Sequence, residues 1–280
     1  MQLRAATNEE IENSSYNPSE GQYLRVSKSS FMTYKTCPRQ FYWRYIADIP
    51  KPPANEAMLR GTRVHSWLEG TYMNDESIDT TEDEDAECVA ALEEMANARI
   101  EEWGQDEIFD AVVSAEHKYY AFDEENEVVL VGVIDGVLRH PDGSLIIAEL
   151  KTGEMGDSKL GRTRRELCYY NAILQANGMD EVKHFMYLTP DCTNEKFLTS
   201  MINNRNKKVW LGDSMGVTVI EKVNARSLNA FAKAYNSVIP SMKSREWPIS
   251  WNDYYCPTWC EFFAACENEM MGVTAPLELV

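Results

Sequence analysis

Two apolar stretches, "EVVLVGVIDGVLRH" and "SLIIAEL", flank Pro141-Asp142-Gly143, and no other feature limits the possible folds of this chain as tightly. Gly143 supplies the positive φ that a tight turn needs, so the segment predicts a β-hairpin. Each strand carries a carboxylate among its apolar residues, Asp135 in the first and Glu149 near the end of the second. Successive side chains of a strand point to opposite faces, so Glu149 and Lys151 share a face while Leu150 points the other way. Taken alone, Glu-x-Lys where a strand ends is most often a solvated ion pair. Asp135 weighs against that reading, because a carboxylate is expensive to bury in an apolar strand without a partner. A hard divalent cation would accept oxygens from Asp135 and Glu149, with the Leu150 carbonyl available as a further ligand. Lys151 would then orient a water or neutralise charge on a phosphate.

The rest of the chain places this hairpin in an α/β fold. Residues 1 to 24 are polar and read as a tail. A helix is expected from Ser27, Ser29 or Ser30 through Phe31, Tyr34, Phe41, Tyr42, Tyr45 and Ile46, broken or kinked at Pro38 and ending before "IPKPP". Further helical periodicity covers Ala57 to Tyr72 and Ala86 to Trp103. After the hairpin come a helix from about Thr163 to Asn177 with Gly178 as its C-terminal signal, a strand "VKHFMYL", strands near 207–211 and 216–221, and a helix near 225–244. The expectation is a mixed central sheet flanked by helices in a single domain over 25–270. It would have a helical part at 25–110, a sheet core at 111–222, a C-terminal helix with a cysteine cluster at 223–270, and a tail at 271–280.

The formal charge of -18 argues against a generally nucleic-acid-binding surface. Part of the excess sits in "NDESIDTTEDEDAE", read as a solvated loop. Basic residues group elsewhere, at Lys35, Arg39 and Arg44, at Lys159, Arg162, Arg164 and Arg165, and at Arg205, Lys207 and Lys208. A bipolar surface and scattered solubilising charges are equally good readings of these groups. No run of eighteen apolar residues exists and the N-terminus lacks a signal-like core, so a cytoplasmic protein with no membrane association is expected.

Asp135 followed by Glu149-Leu150-Lys151 resembles the signature of the PD-(D/E)xK nuclease superfamily, in which an Asp on one strand precedes Glu-x-Lys on the next. "GTRVHSWLE" is similar to the Gly-x-x-x-His-x-x-Leu-Glu helix of its RecB-type branch, which implies His65 as a further metal ligand and a restriction-endonuclease-like fold. An imidazole ligand admits Mn2+ beside Mg2+. The branch carries a Gln-x-x-x-Tyr helix after Glu-x-Lys; here Tyr170 is in register and Glu166 replaces Gln, a departure that affects strand placement. Glu116 in "SAEHKYY" matches an acidic residue of the family and is a candidate support.

Seven cysteines in a chain expected to be intracellular point to thiols or metal ligands before disulfides. Cys256, Cys260 and Cys266 follow one another at spacings of four and six, and a tetrahedral site needs a fourth ligand. Cys37 with Pro38 resembles the N-terminal cysteine of iron-sulfur RecB-type nucleases, such as AddB-type and CRISPR-associated adaptation nucleases. In those families four thiolates hold a 4Fe-4S cluster joining the chain ends. Four thiolates suit that cluster or Zn2+, and the sequence leaves both open. Cys88, Cys168 and Cys192 read as buried core residues.

The resemblance implies a metal-dependent deoxyribonuclease using His65, Asp135, Glu149, Lys151 and Tyr170, more exonuclease than endonuclease, on single-stranded DNA. Tyr34, Tyr42, Trp43 and Tyr170 are base-stacking candidates. No helicase motif is present, so a helicase or a recombination or CRISPR partner protein is expected. The competing readings are a non-catalytic DNA-end-binding or accessory module with a structural cluster, and a zinc-stabilised interaction protein.

Overall fold

The computed structural model describes residues 2–49, 53–74, 85–213 and 215–272. Most of the acidic block and the expected tail after 272 lie outside them. The described residues are mixed α/β and divide into two compact units. One unit holds 55–120 and 132–231, the other 1–54, 121–131 and 232–280.

In the unit holding 55–120 and 132–231, the hairpin forms as its residues dictate. β5 (Val128–Arg139), whose second half belongs here, runs antiparallel to β6 (Leu145–Leu150), with Gly143 at φ 85° in the turn. β6 is buried along its whole length and pairs in parallel with β7 (Val182–Thr189). β7 is antiparallel to β9 (Val217–Lys222), which is antiparallel to β8 (Lys207–Leu211).

α4 (Glu56–Tyr72) is capped by the Asn55 side chain, and α5 (Ala86–Trp103) ends at Gly104 in the left-handed conformation, φ 64°. From these helices Val64, Leu68, Tyr72, Cys88, Leu92 and Met95 form a core cluster with Ile146, Ala148, Leu150, Met186, Leu188 and Ile220 of the sheet. Glu149, between Ala148 and Leu150, therefore points away from this cluster. α6 (Asp157–Ala176) packs against β6 and β7 and begins six residues before the Thr163 expected from its apolar pattern. Its first turns are polar, so periodicity alone does not reveal them.

In the other unit, residues 2–24 are not a tail. β1 (Leu3–Ala5) pairs antiparallel with the end of β4 (Val112–Asp123), and α1 (Asn8–Glu12) starts with a capping box on Thr7. β2 (Ser14–Ser15) pairs in parallel with β3 (Tyr23–Ser27), and β3 in parallel with the first residues of β5. These segments are held by backbone pairing and polar caps, which leave no apolar period to read. α2 (Lys28–Thr36) stops at Cys37 and α3 (Pro38–Phe41) starts on Pro38, so the proline breaks the expected helix. A π-helical turn follows over Tyr42–Ile46. Phe41 stacks on Trp247, Tyr34 meets both rings edge-on, and the Tyr34 hydroxyl donates to the Glu246 carbonyl at 2.8 Å. The C-terminal cysteines lie on α9 (Tyr255–Trp259), at Cys260, and on α10 (Phe263–Met270).

Candidate metal and nuclease centre

The hairpin register sets Gly136 opposite Ala148, so the next step along it would place Asp135 opposite Glu149. The ladder stops there, as expected where two carboxylates would face each other. The Leu150 N–H instead donates to Asp135 Oδ2 at 2.8 Å, and Lys151 N–H donates to the Leu188 carbonyl of β7 at 2.8 Å. The side chain of Asp135 thus extends the ladder and is fixed by it.

Three residues bring ligand atoms together. His65 Nδ1 lies 3.0 Å from Glu116 Oε1 and 3.7 Å from Asp135 Oδ2. Among the described residues these form a group of three potential ligands whose atoms all lie within 4.8 Å of one another. Two carboxylates and an imidazole suit a divalent cation that accepts oxygen and nitrogen donors, so this donor set fits the metal expected from the sequence. His65 sits one residue after Val64, on the edge of the core face of α4. Burial favours its neutral form, but the hydrogen bond with Glu116 and the charges of Asp135, Glu116 and Glu149 outweigh burial and raise its pKa.

Glu116 is the residue whose place the sequence leaves least defined. It stands in β4 at φ 43°, and the burial alternation breaks beside it, with His117 and Lys118 both exposed. A non-glycine residue in the left-handed region of a strand is a locally strained backbone that re-aims its side chain. The carboxylate so directed meets His65.

Lys151 Nζ lies 2.5 Å from Glu149 Oε1 and 3.7 Å from Glu166 Oε2. Glu166 also pairs with Arg162 at 3.3 Å. The carboxylate standing where the family has Gln therefore meets two cations. Tyr170 is buried, and burial first, then the charges of Glu149, Asp135, Glu166 and Glu116, push its hydroxyl far above the usual tyrosine range. Being buried, Tyr170 and Tyr34 present no face to a nucleic-acid base, contrary to the stacking role expected for them.

Gly61, Gly132 and Asp191 also shape the centre, and of these only Gly61 stands in a motif read from the sequence. A Cβ at Gly61 would meet Thr152 Oγ1 at 3.2 Å, so the glycine of Gly-x-x-x-His lets α4 approach the chain just after Lys151. A Cβ at Gly132 would come within 2.8 Å of the Tyr170 ring. Asp191 accepts from the Gly153 N–H at 3.0 Å and pairs with Arg60 at 2.7 Å, tying the loop after Lys151 to α4.

Several residues of the basic groups pair with carboxylates of the same unit. Arg164 and Lys207 both pair with Glu221, and Lys208 pairs with Glu102. In the other unit, Arg39 pairs with Glu269 at 3.2 Å and Arg44 pairs with Glu261.

Cys37, Cys256, Cys260 and Cys266 all line one cavity of about 260 Å3 in that unit, beside Ile249, Trp251 and Phe263. All four are free thiols. Burial pushes the Cys260 and Cys266 thiols up from their ordinary range. Among the described residues no helix is long and apolar enough to cross a membrane.

No curated protein matches the sequence. Among the 16 chains of solved structures that match, one described as "Crystal structure of SSO0001" is 12% identical, covers 86% of this chain and 85% of that chain, and has a TM-score of 0.42. The model of the PD-(D/E)XK nuclease superfamily matches residues 25–267, which contain the hairpin, the His65 helix and all four clustered cysteines, and the chain belongs to that superfamily.

Proposed function

We propose that the protein is a metal-dependent DNA exonuclease acting on single strands, with His65, Glu116, Asp135, Glu149 and Lys151 at its centre. The observation that carries this reading is the meeting of Asp135, His65 and Glu116 within 4.8 Å, with Asp135 fixed by the Leu150 N–H of the Glu-x-Lys strand. His65, Asp135 and Glu116, with Glu149 and the Leu150 carbonyl beside them, would hold Mg2+ or Mn2+, which would supply Lewis-acid polarisation of the phosphate and a lowered pKa for an attacking water. Lys151 places a fixed positive charge next to the carboxylates, where it orients the water and offsets charge developing on the phosphate. Glu149 and Glu166 hold that ammonium from two sides. Tyr170, buried and neutral, closes the floor behind them.

The four cysteines serve as ligands of a 4Fe-4S cluster. The reading is supported by the convergence of all four on one cavity. A helicase or a recombination or CRISPR partner would supply single strands. The test is digestion of end-labelled single-stranded and duplex DNA in Mg2+ and in Mn2+. Mononucleotide release from one labelled end of single strands is expected, whereas internal cuts or a duplex preference would refute the exonuclease assignment.

A further inference from the structure

α6 starts at Asp157, just after the Lys151 loop, and its first turns carry four cations, Lys159, Arg162, Arg164 and Arg165. Two of them are occupied by the protein itself. Lys159 Nζ donates to the carbonyls of Thr152, Gly153 and Glu154, and Arg164 pairs with Glu221. Arg162 and Arg165 remain exposed. Of these two, Arg162 is joined to the proposed centre. Its Nε lies 3.3 Å from Glu166 Oε1, one helical turn on, and the other oxygen of the same carboxylate lies 3.7 Å from Lys151 Nζ. Glu166 is buried, whereas the Arg162 side chain is 66% exposed, and among the described residues no other carboxylate pairs with it.

A guanidinium carries five N–H donors in a planar fork. The pair with Glu166 engages Nε, and the exposure of the side chain leaves the rest of the fork to an acceptor from solvent. The neighbourhood is rich in negative charge. Glu116, Asp135, Glu149 and Glu166 stand against one ammonium, Lys151, and a phosphodiester entering there brings one negative charge more. With His65 neutral as a ligand, a divalent ion would still leave the carboxylates one charge in excess, and Arg162 removes that excess. The arginine fork matches the oxygens of a phosphate and holds it without reading a base.

We infer that Arg162, aimed by Glu166, grips a backbone phosphate of the bound strand next to the one that is cut. Lys151 and Arg162, linked by one carboxylate, then hold successive parts of the same strand, independently of its sequence. The inference rests on the proposed nuclease reading of this centre and names Arg162 as its strand-binding residue and Glu166 as the positioning residue behind it.

The test measures binding and cutting separately. Binding of a fluorescein-labelled single-stranded oligothymidylate is followed by anisotropy in Ca2+ over a sodium chloride series. Single-turnover cleavage is followed in Mn2+ on the same samples of wild type, Arg162→Ala, Arg162→Lys and Arg205→Ala. Arg205 is an exposed cation just before β8, three places from β6 in the sheet, and serves as the charge-matched control. Oligonucleotides with one uncharged methylphosphonate at successive linkages from the end complete the set. Arg162→Ala is expected to raise Kd about tenfold and to flatten the dependence of log K on log salt by about 0.7, one phosphate contact on a single strand. Arg162→Lys should keep the salt dependence, and Arg205→Ala should change Kd less than about twofold. At one linkage the methylphosphonate should weaken wild type as Arg162→Ala does and leave Arg162→Ala unaffected. Wild-type Kd and salt dependence in Arg162→Ala, with a wild type that cuts DNA, would overturn the inference and leave the nuclease reading standing. Equal losses in Arg162→Ala and Arg205→Ala, or additive losses at every linkage, would do the same, as a diffuse charge effect. Wild-type protein that neither binds nor cuts single strands would overturn the nuclease reading and this inference with it.

Discussion

Replacing Gly132 by alanine tests how tightly the floor of the proposed centre is packed. The added Cβ would sit 2.8 Å and 2.9 Å from two carbons of the Tyr170 ring and 3.3 Å from Ile173 Cδ1, against ordinary contact at 3.4–4 Å. Tyr170 and Ile173 are both buried, so neither has open space to move into. Overpacking of this kind costs about 1–3 kcal/mol. Alanine returns about 0.4–1 kcal/mol by restricting the unfolded chain. The net expectation is a loss of about 1–2 kcal/mol, or a fall of about 2–8 °C in the unfolding midpoint. Because Tyr170 lies among Glu149, Asp135 and Glu166, displacing its ring also lowers turnover, by roughly tenfold. The assay is urea unfolding and single-turnover cleavage of Gly132→Ala, Tyr170→Leu and the double variant. Shortening the ring makes room for the methyl group, so the double variant should be more stable than additivity predicts by about 1 kcal/mol. A Gly132→Ala protein as stable and active as wild type, or strict additivity in the cycle, would refute the packing argument.

Glu221 gives a pH-dependent prediction. Burial alone would raise its pKa, but hydrogen bonds from Arg164, Lys207 and Tyr187 outweigh it and hold the carboxyl below the usual glutamate range. Its contribution is therefore full above the ordinary glutamate pKa and is lost as pH falls through the lowered folded value. Glu221→Gln should narrow the stability difference between neutral and acidic urea melts. Glu221→Ala, which strands two cations, should cost about 3–5 kcal/mol, and a loss below about 1 kcal/mol in the same melts would contradict it. Asp191→Ala should lower turnover more than it weakens substrate binding, because Asp191 holds the loop after Lys151 through Gly153; a pure KM effect in steady-state kinetics would count against that. Cys256→Ser should remove iron and lower the midpoint, since ligand binding at such a site is folding energy; unchanged iron content and melting would exclude a cluster there.

What the sequence revealed was the part encoded locally. The hairpin, the shared face of Glu149 and Lys151, and the helix expected over Ala57 to Tyr72 follow from side-chain period and turn chemistry. Glu116 was only half visible, because its role rests on a φ of 43° that no side-chain pattern announces. The first 24 residues read as a tail in the sequence because β1, β2 and β3 are held by backbone ladders, and a polar strand has no apolar signature. Charge counting leaves a bipolar surface and scattered charges equally open for Arg164, Lys207 and Lys208, because their partners Glu221 and Glu102 are not neighbours in sequence. Arg99 is buried, and nothing in "NARIEEW" distinguishes a buried guanidinium from a solvated one.

The central claim is that Asp135 holds the metal and Lys151 acts on the substrate beside it. Mn2+ binding followed by electron paramagnetic resonance, with single-turnover DNA cleavage on the same samples, separates these roles for wild type, Asp135→Asn and Lys151→Ala. The account predicts that Asp135→Asn loses both Mn2+ binding and cleavage, while Lys151→Ala keeps the ion and loses cleavage by at least about a hundredfold. Wild-type cleavage that survives in either variant, or wild-type protein that neither binds Mn2+ nor cuts DNA, would contradict it.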